Sequence, residues 1–196
     1  MTVKHNPVRA FWQVIAVQAL LSASTAAAGS FDTLVPVTPD HSLSSGIYDV
    51  AAGVTPSGTA DGAMVLMRGS GRIYVQRVDS RGKLVGTPIF ISPVGGNLFD
   101  AEITTLAGGR TAVVYTHTPG SFSDNAVYVQ MLNADGSFAG GSQVSGKGFQ
   151  NASIAALDNG NAVVVWADGD NYDIYGRIVS PAGVAVGGQF PVSVNG

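Results

Sequence analysis

Three segments of the chain repeat one pattern: IYVQRVDSRG at residues 73–82, VYVQMLNADG at 127–136 and IYGRIVSPAG at 174–183. Each copy begins with an apolar residue and a tyrosine, continues with a short run of polar and apolar residues, and ends in a glycine. A second glycine follows four residues later in all three copies. Matches in the same register three times over indicate a duplicated unit of about fifty residues.

The flanking sequence extends the repeat in both directions. Upstream, TLAGGRTAVVYT at 105–116 matches ALDNGNAVVVWA at 156–167, and GAMVLMR at 62–68 is a weaker third copy. Downstream, the segments PIFIS, GSQVS and QFPVS close the units. We place the three repeats at about residues 47–93, 98–146 and 149–196.

Each unit contains four candidate β-strands. In the second copy the strands are predicted at residues 101–106, 111–117, 126–133 and 142–145. The second strand of the unit is a continuous apolar run, which is typical of a strand that is buried on both faces. Glycine-containing tight turns separate the later strands. Since the repeats contain no convincing amphipathic helix, the sequence predicts an all-β protein.

Antiparallel units of this length with four strands are typical of the blades of a β-propeller. We therefore predict a β-propeller-like array of about three four-stranded antiparallel blades plus one extra strand at residues 31–38. A β-sandwich or a β-solenoid, which use similar strands, is the alternative. Propellers usually have about four to eight blades. We therefore expect either a homodimer or continuation of the array in a longer chain.

The N-terminal segment has the pattern of a secretion signal peptide. It starts with the cations Lys4 and Arg9, continues with an apolar run at 11–21, and ends in small residues up to Ala28. The apolar run is shorter than the roughly 20 residues that a transmembrane helix needs. We predict cleavage of residues 1–28 and an extracellular or periplasmic domain at 29–196 with no membrane span after processing.

Composition excludes several classes of protein. The net charge is −3, 12% of the residues are charged, and cysteine is absent. So few charges argue against a disordered polyelectrolyte, and the lack of cysteine excludes disulfides and cysteine-ligated metals. Only ten residues are Lys or Arg. The chain therefore lacks the cationic surface on which nucleic-acid binding depends.

The repeat pattern, L-x-x-G-x-x-V-V-V-W followed by I-Y-x-R and a G-x-x-x-G turn, resembles a known family. It is similar to the tryptophan-containing tandem β-repeat of large secreted bacterial surface proteins, some of which also carry hemolysin-type calcium-binding repeats. The third copy fits best, with Trp166, Tyr175 and Arg177 at the motif positions, whereas Tyr115 and Met67 replace the tryptophan in the other copies. The resemblance implies a propeller-like extracellular module and transfers no catalytic residue.

One loop of the third unit is a candidate metal site. The sequence DGDNYD at 168–173 places oxygen ligands at Asp168, Asp170 and Asp173. Ca²⁺ takes about six to eight oxygen ligands, and such a loop can supply several of them. A solvated hairpin loop explains the same residues equally well. Calcium is the one cofactor for which the sequence offers candidate ligands.

Aromatic residues are the candidate ligand-binding groups. Phe122 and Tyr172 lie in the loops between the second and third strands, where unit lengths differ and where function tends to collect. The strand aromatics recur at equivalent positions in the units, and we assign them to the core rather than to sugar-binding platforms. They are Tyr74, Tyr115, Tyr128, Trp166 and Tyr175.

The sequence favours a secreted, non-enzymatic module for adhesion or binding, to glycans or to a surface partner. The alternative is a glycoside-active propeller enzyme, which would need paired carboxylates about 5–10 Å apart. Candidates for such a pair are Asp49, Asp100, Glu102 and Asp124. Beyond the signal segment the chain has two histidines, of which His117 is expected to be a strand-end residue with a structural role.

Overall fold

The computed structural model describes residues 46–54, 60–69, 72–91, 97–146, 149–169 and 172–193. All of them belong to one compact unit, Val35–Gly196. The predicted signal peptide at 1–28 and the predicted extra strand at 31–38 lie outside the described residues. Within the described part of the chain, no helix has the length and apolar character needed to span a bilayer.

The described residues form three antiparallel sheets of four strands each. Sheet A contains β1 (Gly46–Val54), β2 (Ala60–Gly69), β3 (Arg72–Val78) and β4 (Leu84–Ile91). Sheet B contains β5 (Asn97–Thr105), β6 (Thr111–Thr118), β7 (Ala126–Leu132) and β8 (Phe138–Gln143). Sheet C contains β9 (Phe149–Ala156), β10 (Ala162–Asp168), β11 (Ile174–Val179) and β12 (Ala185–Ser193). The prediction of an all-β protein is confirmed.

Strands follow one another in chain order within every sheet, and the sheets share one register. The motif tyrosine pairs with the residue at the tryptophan position of the preceding strand in each case. These pairs are Tyr74 with Met67, Tyr128 with Tyr115 and Tyr175 with Trp166. Cross-strand neighbours therefore occupy equivalent positions in all three sheets.

The turn before the fourth strand is built in the same way each time. Its glycine has a positive φ, which residues with a Cβ resist, and the glycine N–H donates to the carbonyl three residues earlier. The bonds are Gly82 to Asp79 at 2.9 Å, Gly136 to Asn133 at 2.8 Å and Gly183 to Ser180 at 2.8 Å.

In sheet B the fourth strand begins at Phe138 rather than at the predicted residue 142. A local bulge with Gly140 at φ 140° allows pairing with β7 to continue back toward this turn.

Sheet B contributes to two separate cores. All eight residues of β6 are buried. Val113 and Tyr115 share one buried cluster with Leu66 of sheet A, whereas Val114 shares the other with Trp166 of sheet C. Burial of apolar side chains of this size stabilises a fold by about 1.5–3 kcal/mol each. The prediction that the second strand of the unit is buried on both faces is confirmed for sheet B.

The turn of each later sheet also contacts the sheet before it, through the third strand in sheet A and the fourth strand in sheet B. Arg77 of sheet A donates from Nη1 to the Asp135 carbonyl in the sheet B turn at 3.3 Å. Ser142 of β8 donates from Oγ to the Gly183 carbonyl in the sheet C turn at 2.6 Å. Gly140 lies under that same turn, where a Cβ would collide with the carbonyl oxygen of Ala182. The sheets are therefore locked together by backbone contacts as well as by side chains.

The Gly140→Ala variant is expected to lose substantially more stability than Gly187→Ala, its equivalent in sheet C. Both glycines have positive φ, so both variants incur about 1–2 kcal/mol of backbone strain. A Cβ at Gly187 meets no atom within 4 Å, whereas one at Gly140 meets backbone. Overpacking of that kind adds about 1–3 kcal/mol. Urea unfolding measures the difference, and equal losses would show that the turn does not dock tightly on β8.

Tyr115 carries a phenol into the core between sheets A and B. Its ring stacks on that of Tyr128, with centroids 5.8 Å apart and planes 11° from parallel. Burial, and secondarily the charge on Tyr128, raise the pKa of Tyr115 to about 12. Because burial disfavours the phenolate, the folded state holds Tyr115 neutral at pH values where an exposed tyrosine would ionise.

The raised pKa predicts a stability loss at alkaline pH. Tyr115 contributes its full stabilisation below the unfolded-state pKa of about 10. That contribution disappears as the pH rises through the folded-state pKa of about 12. Tyr115→Phe is expected to flatten this loss, as measured by urea unfolding at pH values between about 8 and 12. Tyr172→Phe, at an exposed tyrosine, serves as the control, and an identical alkaline loss in both variants would contradict the assignment.

Candidate functional site

The loop between β6 and β7 is closed by its own hydrogen bonds. Thr118 and Asn125, at its two ends, are both buried, and the Thr118 hydroxyl donates to Oδ1 of Asn125. Between them a short 3₁₀ helix, Phe122–Asp124, begins after Ser121, whose Oγ donates to Oδ2 of Asp124 at 3.3 Å. Phe122 therefore sits on a structured loop, although its side chain is outside the described part of the structure.

The equivalent loop of sheet C, between β10 and β11, presents Tyr172 to solvent. The Asp168 N–H donates to the Asp173 carbonyl at 2.8 Å, and the Tyr172 N–H donates to the Asp168 carbonyl at 3.0 Å. Tyr172 is 69% exposed and has a φ of 62°. A bulky residue in the left-handed region is uncommon and costs about 1–3 kcal/mol unless its surroundings impose it. The loop thus holds an aromatic ring outward in a strained conformation.

The predicted metal ligands are only partly described. Asp168 is half-buried and Asp173 is buried, whereas Asp170 lies outside the described residues. Among the residues that the structure does describe, no three His, Cys, Asp or Glu side chains group closely enough to hold a metal ion. Calcium binding by Asp168, Asp170 and Asp173 stays a prediction.

The strand aromatics lie in or against the two cores. Trp166 and Tyr115 are buried, and Tyr128 and Tyr175 pack as half-buried rings against the clusters that contain them. Tyr74 is half-buried and contacts Phe90 of the neighbouring strand, with ring centroids 5.4 Å apart. Packing therefore accounts for the recurrence of aromatic residues at these positions.

Two of the candidate catalytic carboxylates bridge neighbouring sheets. Oδ2 of Asp49 in β1 accepts from the N–H of Ile103 in β5 at 3.0 Å. Oε2 of Glu102 in β5 accepts from the N–H of Ile154 in β9 at 3.2 Å and from the Ser153 hydroxyl at 2.6 Å. Each carboxylate thus satisfies a backbone donor on the first strand of the next sheet.

A repeated β-bulge places these carboxylates. The register with the second strand shifts immediately before Asp49 in β1 and Glu102 in β5, and also in β9 before Ser153. Bulges bend a strand and redirect the side chain that follows. Asp100 and Asn151 occupy these bulges with positive φ, a conformation that Asp and Asn tolerate better than most residues. This role was not predicted from the sequence, although the recurrence of an acidic residue at one unit position, Asp49 and Glu102, is a signal for it.

The other acid–base candidates are distributed rather than paired. Asp100 is exposed at the β5 bulge, and Asp124 belongs to the loop after β6. His117 is buried near the end of β6, with its ring edge against Tyr128 at 5.8 Å between centroids. His41 lies outside the described residues. His117 therefore has the strand-end position expected of a structural residue.

The polar residue on the third strand of each unit spans the bulge in the fourth strand. Its side chain donates to a carbonyl there in all three sheets: Gln76 to Val85, Gln130 to Gly140 and Arg177 to Gly187. Arg177 also reaches the Val144 carbonyl of sheet B at 3.1 Å. The recurring Gln or Arg of the repeat is thus a structural residue.

No protein-family model matches this chain, and no curated protein is significantly similar to it. The candidate functional features are therefore those that the structure itself provides, above all the exposed loop aromatic Tyr172.

Removal of the Glu102 carboxylate is expected to loosen the contact between sheets B and C. Glu102→Ala leaves the N–H of the buried Ile154 without its acceptor, which costs about 1–3 kcal/mol. Glu102→Gln keeps a carbonyl acceptor and should lose less than half as much. Asp158→Ala, which removes an exposed carboxylate in the β9–β10 turn, controls for the change in charge. Urea unfolding midpoints that are equal for Glu102→Ala and Asp158→Ala would refute a bridging role.

Proposed function

We propose that the chain is a secreted, non-enzymatic β-repeat module that binds a glycan through the loops between the second and third strands of its sheets. In this proposal the three sheets are propeller-like blades, and export depends on the predicted signal peptide at residues 1–28. The face-to-face stacking of A on B and of B on C, in one shared register, supports the blade arrangement.

The observation that carries the binding proposal is Tyr172. The Tyr172 side chain is 69% exposed, so it gains little of the free energy that burial of an aromatic ring provides. The backbone φ of Tyr172, 62°, adds conformational strain. Strain of this kind collects at ligand-binding sites, because the surrounding structure presents the residue for contact. Two backbone hydrogen bonds hold this loop: the Tyr172 N–H donates to the Asp168 carbonyl, and the Asp168 N–H donates to the Asp173 carbonyl.

A glycan suits this presentation. An aromatic ring offers a flat apolar face on which the C–H face of a sugar ring can stack, while its hydroxyl offers a hydrogen bond. The equivalent loop of sheet B carries the exposed hydroxyls of Ser121 and Ser123, which lie 2.7 Å apart. The roles of Asp49 and Glu102 between sheets favour binding over glycoside hydrolysis, since those carboxylates already serve backbone donors.

The test uses a glycan array of neutral and acidic oligosaccharides, followed by calorimetry with the best binder. The wild-type chain is expected to bind at least one sugar class. Tyr172→Ala should weaken that binding about tenfold, since aromatic contacts are worth about 0.5–1.5 kcal/mol. Tyr172→Phe should retain most of it, because the ring face is preserved.

Phe138→Ala serves as the matched control, because Phe138 is also an exposed aromatic, at 56%, but begins β8 rather than lying in a loop between second and third strands. No binding across the array would contradict the proposal. So would an equal loss of affinity in Phe138→Ala and Tyr172→Ala.

A further inference from the structure

Three exposed residues have a positive φ although they are not glycines. Of the thirteen described residues with positive φ, ten are glycines, and the other three are Asp100 at 45°, Asn151 at 55° and Tyr172 at 62°. Glycine adopts this conformation without a steric penalty, whereas a residue with a Cβ is strained there. The chain therefore keeps a side chain at three exposed positions where its usual residue is glycine.

Asn151 and Tyr172 lie at the same end of sheet C. Strand β9 begins at Phe149, which pairs with Asp168, the last residue of β10. The Tyr172 N–H donates to the carbonyl of that same Asp168. Asn151 follows Phe149 by two residues. The exposed tyrosine and the exposed asparagine are therefore both close to the Phe149–Asp168 pair.

Asp100 of sheet B lies beside Asn151 of sheet C. Glu102, two residues after Asp100, accepts from the hydroxyl of Ser153, two residues after Asn151. The two sheets point the same way, because at their opposite end Arg110 in the β5–β6 turn donates to the Pro181 carbonyl in the β11–β12 turn. Strands β5 and β9 thus run side by side in one direction, and the two bulges are neighbours.

Within the described chain, the Asp100 carboxylate and the Asn151 amide form no hydrogen bond or ion pair. Elsewhere this chain uses the same residue types to cap turns: Asp79, Asp135 and Asn159 each accept a backbone N–H two residues later. The bulges need only a residue that tolerates positive φ, which glycine does best. The fold therefore leaves the side chains of Asp100 and Asn151 available for a ligand.

We propose that Asp100 and Asn151 form, together with Tyr172, one binding surface for a neutral oligosaccharide. This assignment rests on the proposed glycan-binding function and adds the polar contacts of that site. The Asp100 carboxylate accepts hydrogen bonds from sugar hydroxyls, and the Asn151 amide both accepts and donates them. The Tyr172 ring contacts the apolar face of a sugar. Ligand sites commonly combine such an apolar contact with a few polar groups that fix orientation.

The charge of this surface favours a neutral sugar over an acidic one. The carboxylate or sulfate of an acidic sugar would approach the Asp100 carboxylate, and like charges repel. The net charge of the chain, −3, acts in the same direction. A divalent cation is disfavoured as the ligand of the pair, because one carboxylate and one amide supply few of the about six to eight oxygens that Ca²⁺ takes.

The test compares neutral and acidic oligosaccharides on a glycan array and then measures calorimetric affinity for the neutral oligosaccharide that binds best. Asp100→Gly and Asn151→Gly should each weaken that affinity about tenfold, since each removes a hydrogen-bonding group. Their urea unfolding midpoints should stay close to that of the wild type, because glycine adopts positive φ without strain. Asp158→Ala, which removes an exposed carboxylate at the opposite end of sheet C, should leave the affinity unchanged.

Two further variants keep residue types that tolerate positive φ, in case glycine loosens a bulge. Asp100→Asn and Asn151→Asp should each weaken binding of the neutral sugar about threefold. Asp100→Asn should also reduce the preference for neutral over acidic sugars on the array, because it removes the repelling charge. A purely structural role of Asp100 would not change this preference.

The outcomes separate this assignment from the proposed function. Binding that Tyr172→Ala weakens, but that the variants of Asp100 and Asn151 leave unchanged, would overturn the assignment and leave the glycan-binding function standing. A wild type that prefers acidic oligosaccharides would also overturn the assignment alone. Absence of binding to every sugar on the array would overturn both.

Discussion

The structure depends on the burial of sheet B on both of its faces. Strand β6 has no exposed residue, and its side chains alternate between a core shared with sheet A and a core shared with sheet C. A sheet with one apolar face needs one partner, whereas a sheet with two apolar faces needs two. The unbroken apolar run of β6 therefore requires the three-layer arrangement, and the sheets on either side supply its partners.

Polar contacts set the register that burial alone leaves open. Apolar burial is non-directional, whereas Asp49 and Glu102 each bond to one particular backbone N–H on the next sheet. The Arg177 side chain connects the third strand of sheet C to the Val144 carbonyl of sheet B. Because such bonds are directional, they fix the position of each sheet on its neighbour.

Much of this architecture could be predicted from the sequence, because the repeat is carried by local features. Glycines with positive φ mark the turns, and the apolar runs mark the central strands. The role of Glu102 could not be predicted in this way, since it depends on a bulge that redirects the side chain toward a strand about fifty residues away. The sequence did place Tyr172 in a loop and Tyr115 on a core strand, in agreement with their exposure. The positive φ of Tyr172 could not be predicted, because it depends on how the loop closes. The start of β8 was missed because pairing continues through a bulge that a glycine pattern alone does not show.

The position of sheet B between the other two has a consequence for the way the protein unfolds. Sheet C can detach while the core between A and B persists, but sheet B cannot unfold without removing the support of both neighbours. Within the described chain, the amides of β6 should consequently belong to the most cooperative element and exchange with solvent on the slowest timescale. Sheet C, with one apolar face in contact with B, is the layer from which a single copy opens first.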